Sequence, residues 1–271
     1  MPLNGRLKVH LAQGLRDLMR LINNHVLVTG GAQGIGAAIV TECVLEGARV
    51  SFIDINAELS QALVERLSAE GHKVQFEKGD VSKFDTFQTA YAKLVANYGP
   101  VTAAVSNAGR NSYADPVDYT EEEWVSFFAL DLKSSWYIAK LCLPEMRKAK
   151  GGSIVNISSI HGRMTSPNFF PYSAAKSGIV GLTRNLAFDE AKHRIRFNSV
   201  SPGYIQTPLQ DSYFKLFPQA KINAIEFQPM KRLGQPSEVA KVVSFVLSDE
   251  ASAINGADLM VDCGLHARYA S

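Results

Sequence analysis

Residues 25–36 read His25-Val26-Leu27-Val28-Thr29-Gly30-Gly31-Ala32-Gln33-Gly34-Ile35-Gly36, in which a largely β-branched run passes into a glycine-rich turn. The residues that follow have the length and pattern of a helix, so the turn is expected to join a strand directly to a helix. Glycines there let the backbone approach a pyrophosphate, whose charge is held by free N–H groups and the positive helix end. The turn therefore predicts dinucleotide binding through Gly30, Gln33, Gly34, Ile35 and Gly36, with a purely structural tight turn as the alternative.

From residue 25 onward, short β-branched runs alternate with longer segments of helical length. This order predicts an α/β fold with a mostly parallel sheet, right-handed crossovers and helices on both faces. The expected strands are residues 25–29, 49–54, 73–76, 101–105, 153–157 and 195–200, and residues 258–261 would close the sheet edge. The expected helices include residues 34–47, 57–70, 84–98, 121–149, 173–192 and 236–248.

No internal repeat, low-complexity tract or long linker divides the chain, so residues 19–271 are expected to form a single catalytic domain. Residues 203–235 interrupt the alternation and are rich in proline and aromatic residues, which predicts a substrate lid or else a packed surface excursion. Residues 1–18 form an N-terminal extension. Its apolar spacing leaves open a short amphipathic helix, an oligomer contact or an extension from an upstream start codon.

Composition lowers the expectation for several classes of function. The 271 residues carry 28 basic and 26 acidic side chains, and the net charge of +2 gives no basic field for nucleic acid. Cys43, Cys142 and Cys263 are far apart and outside any Cys/His cluster, so neither a disulfide framework nor a metal site is expected. No apolar run reaches the roughly eighteen residues that span a bilayer, and early charges spoil a signal peptide. We expect a cytoplasmic protein without membrane or nucleic-acid partners.

Asp54 stands at the end of the second expected strand, where a carboxylate can accept both hydroxyls of a ribose. A carboxylate there repels the 2′-phosphate of NADP, and no lysine or arginine occurs in the glycine turn or at Ile55-Asn56 to attract it. Asp54 and Ile55 are therefore candidate cofactor contacts, and NAD is the expected cofactor. The alternative role for Asp54 is a helix N-cap before Asn56.

Tyr172-Ser173-Ala174-Ala175-Lys176 places a phenol and an ammonium one helical turn apart, on the same face of a helix. A phenol is a poor base at neutral pH, but a cation about 4 Å away favours its phenolate by roughly 4 kcal/mol at an effective dielectric near 20. Ser159 ends the preceding strand, where its hydroxyl can bind the oxygen that Tyr172 protonates or deprotonates. Chance remains the alternative for the Tyr–Lys pair, and Ser158 the alternative to Ser159.

Together these motifs resemble the short-chain dehydrogenase/reductase family, in the expected order and spacing from about residue 22 to residue 265. The motifs are Thr29-Gly-x-x-x-Gly-x-Gly36, Asp80-Val81, Asn107-Ala108-Gly109, Ser159, Tyr172-x-x-x-Lys176 and Pro202-Gly203-x-x-x-Thr207. The resemblance implies a seven-stranded, Rossmann-like doubly wound sheet. It also implies a homotetramer that uses residues 121–149, residues 172–192 and the last strand as interfaces.

The resemblance also assigns roles to individual residues. Tyr172 would be the acid/base, Ser159 would position the substrate oxygen, and Lys176 would favour the tyrosinate and hold the nicotinamide ribose. Asp80 and Val81 would touch adenine, and Asn107-Ala108-Gly109 would support the central strand and the ribose. The remaining cofactor contacts implied are Pro202, Gly203, the backbone of Ile205, and Thr207.

Asp131 departs from the family pattern, because the family usually has Asn at this place. In the family that Asn helps to fix a water that links the active-site lysine to solvent. An ionised carboxylate only accepts hydrogen bonds and adds negative charge near Lys176, which would partly cancel the effect of Lys176 on Tyr172. Asp131 is therefore a candidate member of the catalytic group, and the alternative is a tolerated substitution without a kinetic role.

Substrate contacts are expected just past the strand ends, at Arg110, Ser159, His161, Arg163, Tyr172 and Tyr204. This rim is polar and partly cationic, which favours hydroxyl-rich or anionic small molecules. The sequence therefore predicts an NAD-dependent oxidoreductase that moves a hydride between nicotinamide and a secondary alcohol or hemiacetal carbon of a sugar, sugar acid or polyol. The alternatives are a surface position for His161 and an ion-pair role for Arg163.

Rival functions remain open at this point. A 3-oxoacyl-thioester or hydroxysteroid reductase of the same family would prefer an apolar substrate wall, and the thioester enzymes mostly use NADPH, which Asp54 disfavours. A non-catalytic NAD-binding sensor fits Asp131, but all three of Ser159, Tyr172 and Lys176 are present. A serine acyl-enzyme, suggested by the S-x-x-K pattern at Ser173, is attributed to chance because the pattern recurs at Ser212.

Overall fold

A computed structural model describes residues 19–268 of the chain. Within these residues seven strands form one sheet whose neighbours are all parallel, in the order β3-β2-β1-β4-β5-β6-β7. The strands are β1 (His25–Thr29), β2 (Arg49–Asp54), β3 (Val74–Lys78), β4 (Ala103–Ser106), β5 (Gly152–Ile157), β6 (Ile195–Pro202) and β7 (Asp258–Val261). This confirms the predicted Rossmann-like, doubly wound single domain, and the expected extension 1–18 lies outside the described residues.

Nine α-helices occur between residues 19 and 268, and most of them connect successive strands. They are α1 (Gly34–Leu45), α2 (Ala57–Ala69), α3 (Phe84–Tyr98), α4 (Glu121–Phe128), α5 (Ser134–Ala149), α6 (Tyr172–Glu190), α7 (Pro208–Leu216), α8 (Pro218–Phe227) and α9 (Pro236–Leu247). Helices α1, α2 and α9 pack on one face of the sheet, and α3, α5 and α6 pack on the other.

Successive side chains of a strand point to opposite faces of the sheet, so the strands contribute to the hydrophobic core on each face. In β1, Val26 and Val28 point into the layer with α1 and α9, whereas Leu27 points into the opposite layer. Because both faces of a parallel sheet are covered, its strands read as continuous apolar runs, which made them visible in the sequence. The order of strands reverses at β1, which pairs with β2 on one side and with β4 on the other. Such a switch point opens a crevice at the carboxyl ends of the strands.

The expected helix 121–149 is not continuous. Helix α4 begins with a capping box, in which Thr120 Oγ1 accepts the Glu123 N–H and the Glu123 carboxylate accepts the Thr120 N–H. After Phe128 the chain forms a π-helical segment, Ala129–Lys133, before α5 begins. An extra residue per turn changes which side chains face inward, and such segments concentrate at functional sites. Here Asp131 is the buried residue of the segment.

Residues 203–235 form the two short helices α7 and α8 with their connections. Thr207 Oγ1 accepts the Gln210 N–H at 3.2 Å and so caps α7. Phe214, Ala224 and Leu233 make a small apolar cluster of their own. The segment therefore lies beside the crevice and is built around this separate cluster.

No helix between residues 19 and 268 is both long and apolar enough to cross a bilayer. Over the same residues, no three His, Cys, Asp or Glu side chains are grouped so as to hold a metal ion. Cys43 and Cys142 are buried free thiols, and Cys263 is a partly exposed one.

Candidate active site

The carboxyl ends of the central strands open into a cleft of about 560 Å³, at the place where open α/β sheets bind ligands. All the cofactor contacts expected from the sequence line this cleft: Gly30, Gln33, Gly34, Ile35, Gly36, Asp54, Ile55, Asp80, Val81, Asn107, Ala108, Gly109, Tyr172, Lys176, Pro202, Gly203, Ile205 and Thr207. The fold thus brings together residues that are widely separated in the sequence.

The glycine-rich turn has a backbone conformation that needs glycine at two positions. Gly30 and Gly34 have φ angles of 67° and 57°, in the left-handed region that favours glycine. Asn107 Nδ2 donates to the carbonyls of Thr29 at 3.0 Å and Gly30 at 2.9 Å, which holds the turn against β4. At the start of α1, Gln33 provides no side-chain cap, so the first N–H groups stay available to an anion. The turn therefore fits a pyrophosphate.

Gly36 offers a test of this packing. A Cβ at Gly36 would lie 1.9 Å from the Gly30 carbonyl oxygen and 2.6 Å from Asn107 Nδ2. We expect Gly36→Ala to lower the free energy of unfolding by about 1–3 kcal/mol, as overpacking does, and to weaken NADH binding. Urea unfolding and fluorescence titration measure these two effects. The matched control is Gly151→Ala, between α5 and β5, whose Cβ would meet nothing within 4 Å. Wild-type values for Gly36→Ala would show that the turn is not tightly packed.

Asp54 is held in place by the turn that it faces. Its Oδ2 accepts the Ala32 N–H at 3.0 Å, and its Oδ1 accepts the Asn56 N–H at 2.9 Å. Helix α2 is capped by Asn56, whose side chain accepts the Leu59 N–H, so the N-cap role considered for Asp54 belongs to Asn56. Each carboxylate oxygen of Asp54 keeps a lone pair, because two acceptor sites per oxygen exceed the bonds formed. The carboxylate can therefore accept ribose hydroxyls.

Asp80 and Val81 follow β3 at the rim of the same cleft. Asp80 Oδ1 accepts the N–H of Ser82 at 3.0 Å and its hydroxyl at 2.6 Å. Burial opposes ionisation of Asp80, but the two Ser82 hydrogen bonds and Lys83 outweigh it and lower the pKa of this carboxyl. Val81 is 4% exposed and offers an apolar surface. The pair can thus present an ionised acceptor and an apolar contact to a heteroaromatic base.

Tyr172 is the first residue of α6, and Lys176 lies one turn further along the helix. Lys176 Nζ is 5.4 Å from the centroid of the Tyr172 ring, and only 6% of the Lys176 side chain is exposed. Solvent screens a buried ammonium less than an exposed one, so the charge of Lys176 acts more strongly on its surroundings. The arrangement can therefore move a proton at Tyr172 Oη.

The two serines after β5 have different hydrogen-bond roles. Ser158 Oγ donates to the carbonyl of Lys176 at 2.9 Å, which joins β5 to α6. Ser159 Oγ accepts the His161 N–H at 3.2 Å at the start of the short turn Ile160–Gly162. The Ser159 hydroxyl therefore keeps its proton for a ligand oxygen, whereas the Ser158 proton is already used. This distinction supports Ser159 over Ser158 as the substrate-positioning residue.

Asp131 is buried between Lys176 and the loop after β4. Its Oδ1 lies 3.5 Å from Lys176 Nζ, and Oδ1 and Oδ2 accept the Arg110 N–H at 3.1 and 3.2 Å. A Cβ at Gly109 would come within 2.7 Å of Asp131 Oδ1, so glycine is needed there. Burial raises the pKa of Asp131, and the Lys176 ammonium opposes this rise. The carboxylate stands beside the ammonium, as the sequence hypothesis requires.

The charge of Asp131 predicts a change in the pH profile. In Asp131→Asn the negative charge beside Lys176 is gone, so the ammonium favours the tyrosinate more strongly. The acidic limb of the kcat/KM profile for alcohol oxidation should therefore move to lower pH. Rates measured from about pH 6 to pH 10 test this shift, with the exposed Asp189→Asn as a matched control that leaves the profile unchanged. Superimposable profiles for Asp131→Asn and wild type would contradict the proposed influence of Asp131.

The structure brings some expected substrate contacts to the cleft and leaves others elsewhere. Arg110 lines the cleft of about 560 Å³, where its Nη2 donates to Ser126 Oγ at 3.2 Å. Arg163 lines neither cavity described here, because its Nε donates at 2.7 Å to Asp258 Oδ2, a carboxylate that is almost fully buried. His161 is buried rather than at the surface, and burial lowers its pKa to about 4. His161 therefore adds no positive charge at neutral pH, and the charge of Arg163 is paired with Asp258 outside both cavities.

A second cavity of about 250 Å³ adjoins the cleft, and Ser159 and Tyr172 line both. Its wall is largely aromatic, and sequence reasoning named only Tyr172, His161 and Tyr204 among its rings. The rings that it missed are Tyr113, Phe169, Tyr213, Phe214 and Phe227. They come from three separate segments of the chain. The aromatic content of residues 203–235 is the one sequence feature that indicates such a wall.

Comparisons with known proteins agree with this geometry. Residues 30–266 match the family model described as enoyl-(acyl carrier protein) reductase. The chain is 36% identical over 247 residues to the 3-oxoacyl-(acyl-carrier-protein) reductase FabG of Thermotoga maritima, covering 91% of this chain and 99% of that protein. It is also 36% identical over 245 residues to cyclopentanol dehydrogenase of Comamonas sp., covering 90% and 98%.

A solved structure is similar over the same range. It is the crystal structure of a gluconate 5-dehydrogenase from Burkholderia cenocepacia in complex with NADP and tartrate. The TM-score is 0.87 and the identity 26%, with 94% of this chain and 99% of that chain covered.

Proposed function

The chain belongs to the short-chain dehydrogenase/reductase family of oxidoreductases, and we propose that it is an NAD-dependent dehydrogenase of small secondary alcohols or hemiacetals. The substrates proposed are sugars, sugar acids or polyols. The observation that carries the proposal is the meeting of the two cavities at Ser159 and Tyr172, beside Lys176. A nucleotide in the larger cleft and an alcohol in the smaller cavity would share one phenol, which supplies the proximity that the reaction needs.

Residues of the chain itself transfer the proton of the substrate hydroxyl. A bound nicotinamide nucleotide supplies the hydride acceptor or donor. Tyr172 Oη takes the hydroxyl proton as the alcohol is oxidised and returns it in the reverse direction. Ser159 Oγ binds the same substrate oxygen, and the Lys176 ammonium stabilises the tyrosinate.

The preference for NAD rests on Asp54. The cleft residues beside it, Ile53 and Ile55, are uncharged, and the cationic side chains that line the cleft within residues 19–268 are Arg110 and Lys176. Both lie at Asp131, near the Tyr172 end of the cleft. A 2′-phosphate would therefore face a carboxylate, and no cation between residues 19 and 268 lines the cleft at that point.

A second candidate is reduction of a 3-oxoacyl thioester, which the family model's description and the FabG relative favour. The cavity volume of about 250 Å³ favours a smaller substrate, because pockets for drug-sized ligands usually enclose about 300–1,000 Å³.

One panel of assays separates these candidates. NAD and NADP reduction is measured with sugars, sugar acids, polyols and cyclic alcohols, and NADH and NADPH oxidation with acetoacetyl thioester. We expect NAD-linked oxidation of a secondary alcohol to be fastest. Faster NADPH-linked thioester reduction would assign the second candidate instead.

We also propose that residues 203–235 act as a substrate lid and that the protein is a homotetramer. The lid assignment is supported by α7 and α8, which supply one wall of the aromatic cavity. The oligomer assignment is supported by large exposed apolar side chains on α4, α5 and α6, namely Trp124, Val125, Trp136 and Phe188. Light scattering after gel filtration should give four times the chain mass, and a monomer mass would reject the tetramer.

A further inference from the structure

The aromatic cavity is uncharged throughout. No Asp, Glu, Lys or Arg is among the residues between positions 19 and 268 that line it. Tyr113 stays neutral because burial raises its pKa to about 12, and burial likewise keeps His161 neutral. A carboxylate or phosphate that entered this space would lose its hydration without gaining a cation. The cavity therefore favours an uncharged substrate, which separates neutral sugars and polyols from sugar acids.

The walls of the cavity favour a ring. Tyr113 stacks on Tyr213 of α7 with centroids 5.3 Å apart and an interplanar angle of 21°, and it meets Phe169 edge to face at 5.1 Å. These contacts join the loop after β4 to the lid and to the segment before α6. Flat aromatic faces pack well against the C–H face of a compact cyclic molecule. The small volume favours a compact substrate over a long acyl chain.

His161 is one of the polar groups within these walls, and contacts on both sides hold its ring in place. Its ring stacks on Phe169 with centroids 3.9 Å apart, and its Nδ1 lies 2.9 Å from Thr165 Oγ1. Nε2 has no hydrogen-bond partner within the described part of the chain, and it is not among the buried unpartnered side-chain atoms there. Nε2 therefore reaches open space, and the aromatic cavity is the space that His161 lines.

We propose that His161 Nε2 selects the substrate by hydrogen bonding to a second hydroxyl next to the reacting carbinol, so that the preferred substrate is an uncharged cyclic vicinal diol or neutral sugar. The inference rests on the proposed function, because it assumes that Tyr172 holds the reacting oxygen. The His161 and Tyr172 rings stand edge to face with centroids 5.7 Å apart. Both residues line the same cavity, so one small molecule there can form hydrogen bonds to both. A site built around a substrate hydroxyl rejects the analogue that lacks it.

The test compares cyclohexane-1,2-diol with cyclohexanol as substrates, with NAD and in the same preparations. In the wild type, kcat/KM for the diol is expected to exceed that for cyclohexanol by at least about tenfold. His161→Phe keeps an aromatic ring to stack on Phe169 but removes Nε2, so the ratio of kcat/KM for the diol to that for cyclohexanol should fall to about one. His161→Gln, which restores a hydrogen-bonding group, should recover part of the ratio. A ratio measured within one preparation does not depend on the folded fraction.

Three results would overturn the inference. The first is a wild type that does not prefer the diol. The second is a His161→Phe variant whose kcat/KM falls equally for both substrates. The third is a wild type that oxidises a ring carrying a carboxylate faster than the uncharged diol. Each of them leaves the proposed dehydrogenase function standing. Failure of the wild type to oxidise any alcohol, while thioester reduction proceeds, would reject the proposed function itself.

Discussion

Replacing Tyr172 by Phe should lower kcat for alcohol oxidation by roughly 10³- to 10⁴-fold, the range at the upper end of general acid–base catalysis. The ring remains, so the packing at the start of α6 and the contact with His161 are kept. Only the hydroxyl is lost, and with it the group that accepts the proton beside Lys176. Initial rates of NADH formation at saturating alcohol measure the loss.

Nucleotide binding separates this loss from unfolding. We expect the Kd for NADH, from fluorescence titration, to stay within about threefold of the wild type, because the glycine turn and Asp54 are untouched. Tyr98→Phe is the matched control, since Tyr98 ends α3 and packs against His25 rather than in the cleft. Its activity should equal that of the wild type. Substantial turnover by Tyr172→Phe would remove Tyr172 from the reaction.

Exchanging two residues at the end of β2 should reverse the choice of nucleotide. In Asp54→Asn combined with Ile55→Arg, the carboxylate becomes neutral and a guanidinium is added where a 2′-phosphate would lie. Asn keeps an amide oxygen that can accept the Ala32 N–H, so the turn stays supported. Since like-charge contact costs several kcal/mol and an Arg–phosphate contact is favourable, the NADP/NAD ratio of kcat/KM should rise by at least about 100-fold.

The two single variants show how much each substitution contributes to the change in the NADP/NAD ratio. Asp54→Asn alone should raise the ratio by removing repulsion, and Ile55→Arg alone should raise it less, because the carboxylate remains. Glu58→Gln, which removes a charge from the first turn of α2, is the control and should leave the ratio unchanged. A double variant that still prefers NAD, or a wild type that already prefers NADP, would show that Asp54 does not select the cofactor.

Local patterns in the sequence were enough to predict the sheet and the residues that line the larger cleft. The strands are buried on both faces and read as apolar runs, and turns at strand ends carry residues such as Asp54 and Asn107 to one edge. The spacing of Tyr172 and Lys176 also needs only the geometry of one helix. These features depend on residues close in sequence or on the fixed direction of parallel strands.

The features that sequence reasoning missed do not follow from the spacing of residues along the chain. Arg163 is drawn from the cleft by Asp258, 95 positions away. The π-helical segment that holds Asp131 is one turn within a pattern that reads as continuous helix. The pKa of His161 is lowered by burial, in a position where its ring stacks on Phe169. None of these contacts has a periodic signal, so the aromatic, uncharged character of the substrate cavity became visible only in the structure.

The most direct test of the central claim follows the hydrogen itself. The wild-type protein is incubated with NAD and a secondary alcohol deuterated at the carbinol carbon, and the NADH formed is examined by mass spectrometry and NMR. The account predicts that one deuterium appears at the reduced position of the nicotinamide, with a slower rate than for the unlabelled alcohol. NADH that forms without the label, or a protein that binds NAD but reduces none with any alcohol of the panel, would contradict it.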